Sequence, residues 1–106
     1  MSSGIFIYIT VPSETEAQKI AQAVVADRLA ACANIVPGMK SIYHWEGKLE
    51  QGEEVIVILK TRAELFPAVE MRVRELHSYS TPCIVSLPLT NVSEGYLKWI
   101  IAETKP

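Results

Sequence analysis

Two extended stretches run toward and away from a short polar turn in the middle of the chain, and no other feature limits the fold so severely. Ala31-Cys32-Ala33-Asn34-Ile35-Val36-Pro37-Gly38 leads into Ser41-Ile42-Tyr43-His44-Trp45-Glu46-Gly47-Lys48, and Glu54-Val55-Ile56-Val57-Ile58-Leu59-Lys60-Thr61-Arg62 returns. Gly47 supplies the backbone freedom that a tight ribbon turn demands. Taken as one strand, Ala33 to Glu46 is roughly 46 Å long at ~3.3 Å per residue. A compact domain of this size has a radius of gyration near ~13 Å, hence a diameter of about 34 Å. The ribbon therefore overhangs its own domain. Tyr43 and Trp45 fall on one face of it by period-two alternation, and apolar residues on an overhang imply a partner chain.

The flanking segments fix the rest. Ile5-Phe6-Ile7-Tyr8-Ile9-Thr10-Val11 is almost continuously β-branched or aromatic and reads as a strand lying centrally in a sheet or covered on both faces. After Pro12, Ser13-Glu14-Thr15-Glu16 offers a capping box. Ala17, Ile20, Ala21, Val24, Ala26 and Leu29 then predict a helix from Glu14 to about Leu29. Phe66, Val69, Val73 and Leu76 line one face of a second helix, with Pro67 in its first turn. Cys83-Ile84-Val85-Ser86-Leu87 is a short strand between Pro82 and Pro88, and Ser93 precedes a C-terminal helix carrying Tyr96, Leu97, Ile100 and Ile101.

The order is βαββαβ with a helical tail, an α+β, ferredoxin-like arrangement with a long β-ribbon, read as a single domain over residues 1–106. Right-handed crossovers put the first and third strands in the centre and leave the second and fourth as edges. Exposed edges need protection, and a ribbon docking on a neighbour's edge is a heterologous contact that closes into a ring. The expected assembly is a homotrimer.

Composition narrows the partners. The net charge is −2 and Lys and Arg form no stripe, so nucleic acid is excluded as a partner. No apolar run approaches the ~20 residues of a membrane-spanning helix, which excludes the membrane on the same footing. The N-terminus has no basic region followed by a cleavage site, and two cysteines form neither a disulfide framework nor a Cys-x-x-Cys site; a cytoplasmic location is expected.

Arg28-Leu29-Ala30-Ala31-Cys32-Ala33-Asn34, the ribbon segment Ser41 to Lys48, Leu59-Lys60-Thr61-Arg62, His77-Ser78-Tyr79-Ser80-Thr81-Pro82 and Tyr96-Leu97-Lys98-Trp99-Ile100 together resemble the CutA divalent-cation tolerance family, in order and over nearly the whole chain. The resemblance implies a ferredoxin-like subunit in a tight trimer, similar to the trimers of the P-II signalling proteins, and an association with copper and other divalent metals. The chain departs from the family where metal chemistry would matter. The usual His-Pro-Tyr-Glu or His-Pro-Tyr-Gln segment is here His77-Ser78-Tyr79-Ser80. Some bacterial relatives carry a cysteine near the end of the first strand and two adjacent histidines after the second helix; the matching positions are Ile9 and Leu76-His77.

His77 is a candidate metal ligand through its imidazole, set against the alternative of a histidine meeting the free carbonyls of a helix C-terminus. Cys32 is a second candidate metal ligand, set against a small buried apolar role that Cys83 shares. Lying on opposite edge strands roughly 14 Å apart, the two thiols are too distant for an internal disulfide. Arg62 and Tyr79 are candidates for a ligand cleft, Arg28 is a further anion-binding candidate, and Tyr43 and Trp45 are candidates for the trimer interface. Three functions follow. The first is a trimeric, non-enzymatic divalent-cation tolerance protein that binds copper or another divalent cation weakly. The second is a P-II-like sensor holding a small anionic metabolite between subunits, its ribbon tip meeting an unidentified protein partner. The third, an acylphosphatase-type enzyme, lacks a glycine-rich phosphate loop: Pro12-Ser13-Glu14 follows the first strand, and the acidic residue would repel phosphate.

Overall fold

Strand β1 (Gly4–Val11) lies between β3 (Lys48–Arg62) and β4 (Ile84–Pro88), and β2 (Cys32–Trp45) pairs only with β3, giving an antiparallel sheet in the order β2-β3-β1-β4. This is a computed structural model, and it describes residues 3–106. Helices α1 (Glu14–Ala26) and α2 (Phe66–Leu76) cover one face of the sheet, and α3 (Glu94–Ala102) packs at the end where β1 begins. The alternation of β1 explains the core. Ile5, Ile7, Ile9 and Val11 are buried under the helices with Val55, Val57 and Leu59 of β3 and Ile20, Val24, Val69 and Val73 of the two helices. The central placement of β1 and β3 agrees with the sequence reading. Coverage on both faces does not: Phe6, Tyr8 and Thr10 point to a face that no helix of this chain fills, and all three are only partly buried.

Local chemistry sets the element ends. Ser13 Oγ accepts the Glu16 N–H at 3.2 Å, as a capping residue should. The reciprocal half of the capping box is absent, because the Glu16 carboxylate is used elsewhere. Helix α1 stops at Ala26 rather than near Leu29. Arg28 adopts a left-handed conformation with φ 58, and the Arg28 and Leu29 N–H groups bond back to Val25 and Val24 in a Schellman closure. Leu29 still reaches the core from outside the helix. At α3 the expected Ser93 cap makes no side-chain hydrogen bond.

The ribbon is longer than the sheet that carries it. Pairing of β3 with β1 ends at Val55↔Val11, so Met39 to Glu54 forms a two-stranded overhang of roughly 23 Å, and the molecule extends 46 × 26 × 22 Å. The single strand expected over this stretch forms as β2, with a register shift at the root of the ribbon: pairing jumps from Val36↔Ile56 to Met39↔Glu54, so Pro37 and Gly38 together oppose Val55. That β-bulge has Gly38 at φ 83 and Pro37, which has no N–H to offer, on an edge strand. At the far end Trp45 pairs with Lys48 across Glu46 and Gly47, whose φ values of 51 and 78 mark a type I′ turn.

Glutamate is a poor occupant of that first turn position. Glu46→Asn should raise stability by up to about 1 kcal/mol, and Gly47→Ala should lower it by about 1 kcal/mol. Opposite shifts of the urea midpoint at unchanged slope are the expected readout.

Candidate functional site

The loop joining α2 to β4 is held by one histidine. The His77 side chain is completely buried, its Nε2 lies 2.8 Å from the Thr10 carbonyl oxygen, and its Nδ1 receives the Tyr79 N–H at 3.0 Å. A carbonyl only accepts and a peptide N–H only donates, so Nε2 carries the proton and Nδ1 presents its lone pair. Glu16 finishes the loop: its Oε2 accepts from the Ser78 N–H at 3.0 Å and from the Ser78 hydroxyl at 3.1 Å, and lies 3.4 Å from His77 Nδ1. The ring thus reaches across to β1 and does not cap α2, whose C-terminal closure comes from the His77 backbone N–H to Val73 at 2.8 Å.

This loop delivers Tyr79 to the open face of the sheet. Its hydroxyl donates to Glu54 Oε2 at 3.1 Å, and its ring sits 4.8 Å from that of His77. Burial, with the Glu54 hydrogen bond and negative charge beside it, pushes the phenol up to about 12. Because of the bulge, Met39, Ser41, Tyr43 and Trp45 share the face of Glu54, Tyr8 and Thr10. The result is a cleft of about 770 Å³ at the root of the ribbon, lined by Tyr8, Tyr43, Trp45, Tyr79, Glu54 and Cys83 among others. Tyr8 donates to Met39 Sδ at 3.4 Å, fixing one wall. Burial pushes the Cys83 thiol up and the Glu54 charge adds to this, against an opposing hydrogen bond from Thr10, so Cys83 is held as the thiol.

The other candidates lie elsewhere. Arg62 is buried at the opposite end of the sheet, beside Gly4, about 20 Å along β1 from the row of Thr10 and Tyr79. Its Nε donates to Thr104 Oγ1 at 2.9 Å and its Nη1 lies 3.4 Å from Glu64 Oε2, so it clamps the C-terminal segment. Arg28 pairs with Glu103 at 2.9 Å in the same clamp. Cys32 is partly exposed on the first position of β2, opposite Lys60, with Cys83 just before the other edge strand, β4; both thiols are free. Arg62 and Tyr79 therefore share no cleft within one chain, and Cys32 and His77 share no site. Sequence reasoning missed Glu54, Tyr8 and Met39. Alternation along β3 identifies Glu54 as a carboxylate on the face of Ile56 and Ile58, but its sharing that face with Tyr43 and Trp45 depends on the bulge.

A bound divalent ion does not fit these residues within one chain. Both His77 nitrogens are occupied, Cys83 is protonated, and among the described residues no three His, Cys, Asp or Glu side chains cluster.

Residues 5–103 match the CutA1 divalent ion tolerance protein family. The chain belongs to that family. It is 46% identical over 98 residues to the divalent-cation tolerance protein CutA of Thermus thermophilus, spanning 92% of this chain and 95% of the relative. The solved Thermus thermophilus structure superposes with a TM-score of 0.93, at 44% identity, over 96% of this chain and 99% of that one. The chloroplastic CutA protein of Arabidopsis thaliana is 41% identical over 102 residues, 96% of this chain but 56% of that longer protein. A solved structure from Archaeoglobus fulgidus, described as a periplasmic divalent cation tolerance protein CutA, gives a TM-score of 0.93 at 44% identity, covering 96% and 99% of the two chains.

Those last two relatives overturn the expectation of a cytoplasmic location. Family members are described as chloroplastic and periplasmic, so the compartment does not follow from this fold or from its cysteine usage.

The Tyr79 phenol gives the site a pH signature. Its folded-state ionisation is raised from 10 to about 12, so the stability it contributes is fully present below pH 10 and is lost as pH rises through about 12. The unfolding midpoint should fall across that window, and Tyr79→Phe should flatten the fall.

Proposed function

We propose that the protein is a trimeric, non-enzymatic CutA-type divalent-cation tolerance protein, a single ferredoxin-like domain over residues 1–106 that binds copper or another divalent cation only weakly. The observation that supports assembly most directly is the ribbon overhang. A two-stranded hairpin is marginal in water by itself, yet this one exposes Ile42, Tyr43, Trp45 and Leu49. The open sheet face adds Val85 and Leu87, both half exposed, beside Phe6, Tyr8, Ile56 and Ile58, where a solvated face would alternate to polar residues. The P-II-like reading, with an anionic metabolite, is less well supported: Arg62 is committed to the C-terminal clamp, and the cleft at the ribbon root carries a carboxylate.

Sedimentation equilibrium at micromolar protein should return three subunits. Trp45→Ala should lower the melting temperature by weakening the ribbon's packing against its neighbour. A monomer or an open polymer would refute the closed trimer.

Metal affinity follows from the committed ligands. Cu(II) or Zn(II) titrated calorimetrically at neutral pH should bind with a Kd in the micromolar range or weaker. His77→Ala should cost about 2–4 kcal/mol of stability, because it leaves the Thr10 carbonyl and the Tyr79 N–H without partners. Nanomolar binding that survives this substitution would place the metal between subunits, with Cys32 as the available thiol.

A further inference from the structure

We propose that Lys60 of each chain pairs with Glu54 of a second copy of the chain in the trimer, so that one ion pair closes the covered face of the sheet at every contact. The inference rests on the trimeric reading and assigns the polar groups that fix how one subunit meets the next. Along β3, Glu54, Ile56, Ile58 and Lys60 share the open face, and the residues paired beside them on β1, β2 and β4 carry no charge. Arg62, next on that face, is already clamped to Thr104 and Glu64. Glu54 and Lys60 lie roughly 20 Å apart at ~3.3 Å per residue, so the two charges cannot meet within one chain. Neither has an ionic partner among the described residues. Lys60 Nζ lies 5.4 Å from the centre of the Phe6 ring and 5.5 Å from that of Tyr96. Glu54 accepts the Tyr79 hydroxyl at 3.1 Å, but that phenol is held protonated and leaves the negative charge uncompensated. The cleft beside it has no Lys, Arg or His among its described lining residues. Both groups are partly buried in the single chain, where water still reaches them. A neighbour laid over the apolar residues between them removes that water, and a charge left unpaired there would oppose assembly. A heterologous contact joins two different patches, so a cationic end set against an anionic end satisfies both groups three times around a closed ring. Glu50 also lies on the aromatic face of the ribbon, opposite Tyr43, but it is exposed well out on the overhang, where solvent holds its charge.

Sedimentation in a fixed concentration of urea brings dissociation of the full chain's assembly into a measurable range. Lys60→Glu and Glu54→Lys each place like charges in contact, and each should raise the protein concentration of half-dissociation at least about tenfold. The exchange of both residues, Lys60→Glu with Glu54→Lys, restores opposite charges at every contact and should recover most of that loss. Lys60→Met with Glu54→Gln forms a second cycle that adds no new charge and keeps an acceptor for Tyr79, so it decides the case where a reversed variant does not fold. Its double variant should lose less than the product of the two single fold-changes. Glu50→Gln is the control and should show no such coupling to Lys60→Met. A folded exchange variant that recovers nothing, single losses that simply multiply in the second cycle, or coupling of Lys60 to Glu50 in place of Glu54 would each overturn the pairing. The same samples separate this from the proposed function: a wild-type trimer without the coupling loses the ion pair and keeps the assembly, whereas a wild-type monomer removes both.

Discussion

The Pro37–Gly38 bulge decides what the ribbon presents to the rest of the molecule. In a strand of uninterrupted alternation, Tyr43 and Trp45 share parity with Ala33 and Ile35, which pack toward the helices. One extra residue moves them to the other face, and the reversal applies to every position beyond the insertion. The cleft, the alignment of Met39 with Glu54 and the proximity of Tyr43 to Tyr79 all follow from it. Proline and glycine suit the position for separate reasons: the first gives up an edge N–H at little cost, and the second accepts φ 83 without a Cβ penalty.

The opposite wall depends on a polar relay that begins in α1 and passes through the buried His77. Glu16 enters the helix through the Ser13 cap and then turns its carboxylate to the backbone and hydroxyl of Ser78. His77 secures the next step by joining β1 to Tyr79, and Tyr79 carries the connection to Glu54 on β3. Helix, central strand and ribbon are thereby linked through satisfied hydrogen bonds, of which those of the buried His77 ring hold the loop most firmly. The same satisfaction removes His77 as a ready metal ligand. A ring whose two nitrogens hold a loop in place cannot also coordinate an ion unless that loop is released.

Much of the fold was legible in the chain because its signals were local. Alternation in β1, the apolar spacing of α1 and α2, Pro67 in a first turn and Gly47 at the ribbon tip all act within a few residues, and the strand order then follows from handedness and connection. Boundaries were less legible. Leu29 looks helical because it is apolar and correctly spaced, but Arg28 takes a left-handed conformation to close α1 one turn earlier. The site was least legible, since Arg62 and Tyr79 read as equal cleft candidates until strand register placed them at opposite ends of β1. Glu54 and Tyr43 come to share a face through a bulge that Pro37-Gly38 permits but does not announce, because the same dipeptide also suits an ordinary turn.

Coverage and access are coupled in this architecture. The apolar residues left open by α1 and α2 occupy the same face of the sheet as the aromatic side of the overhang, and the cleft lies where the two meet. A neighbour that covers Val85, Leu87 and the ribbon aromatics would reduce the exposed apolar area and stabilise a hairpin that is marginal alone. It would also form an outer wall beside Glu54. Excluding water there strengthens the hydrogen bond that the carboxylate accepts from the Tyr79 hydroxyl. The Glu54–Tyr79 hydrogen bond would therefore be stronger in the assembly than in the single chain, and the neighbour's residues would complete the cleft.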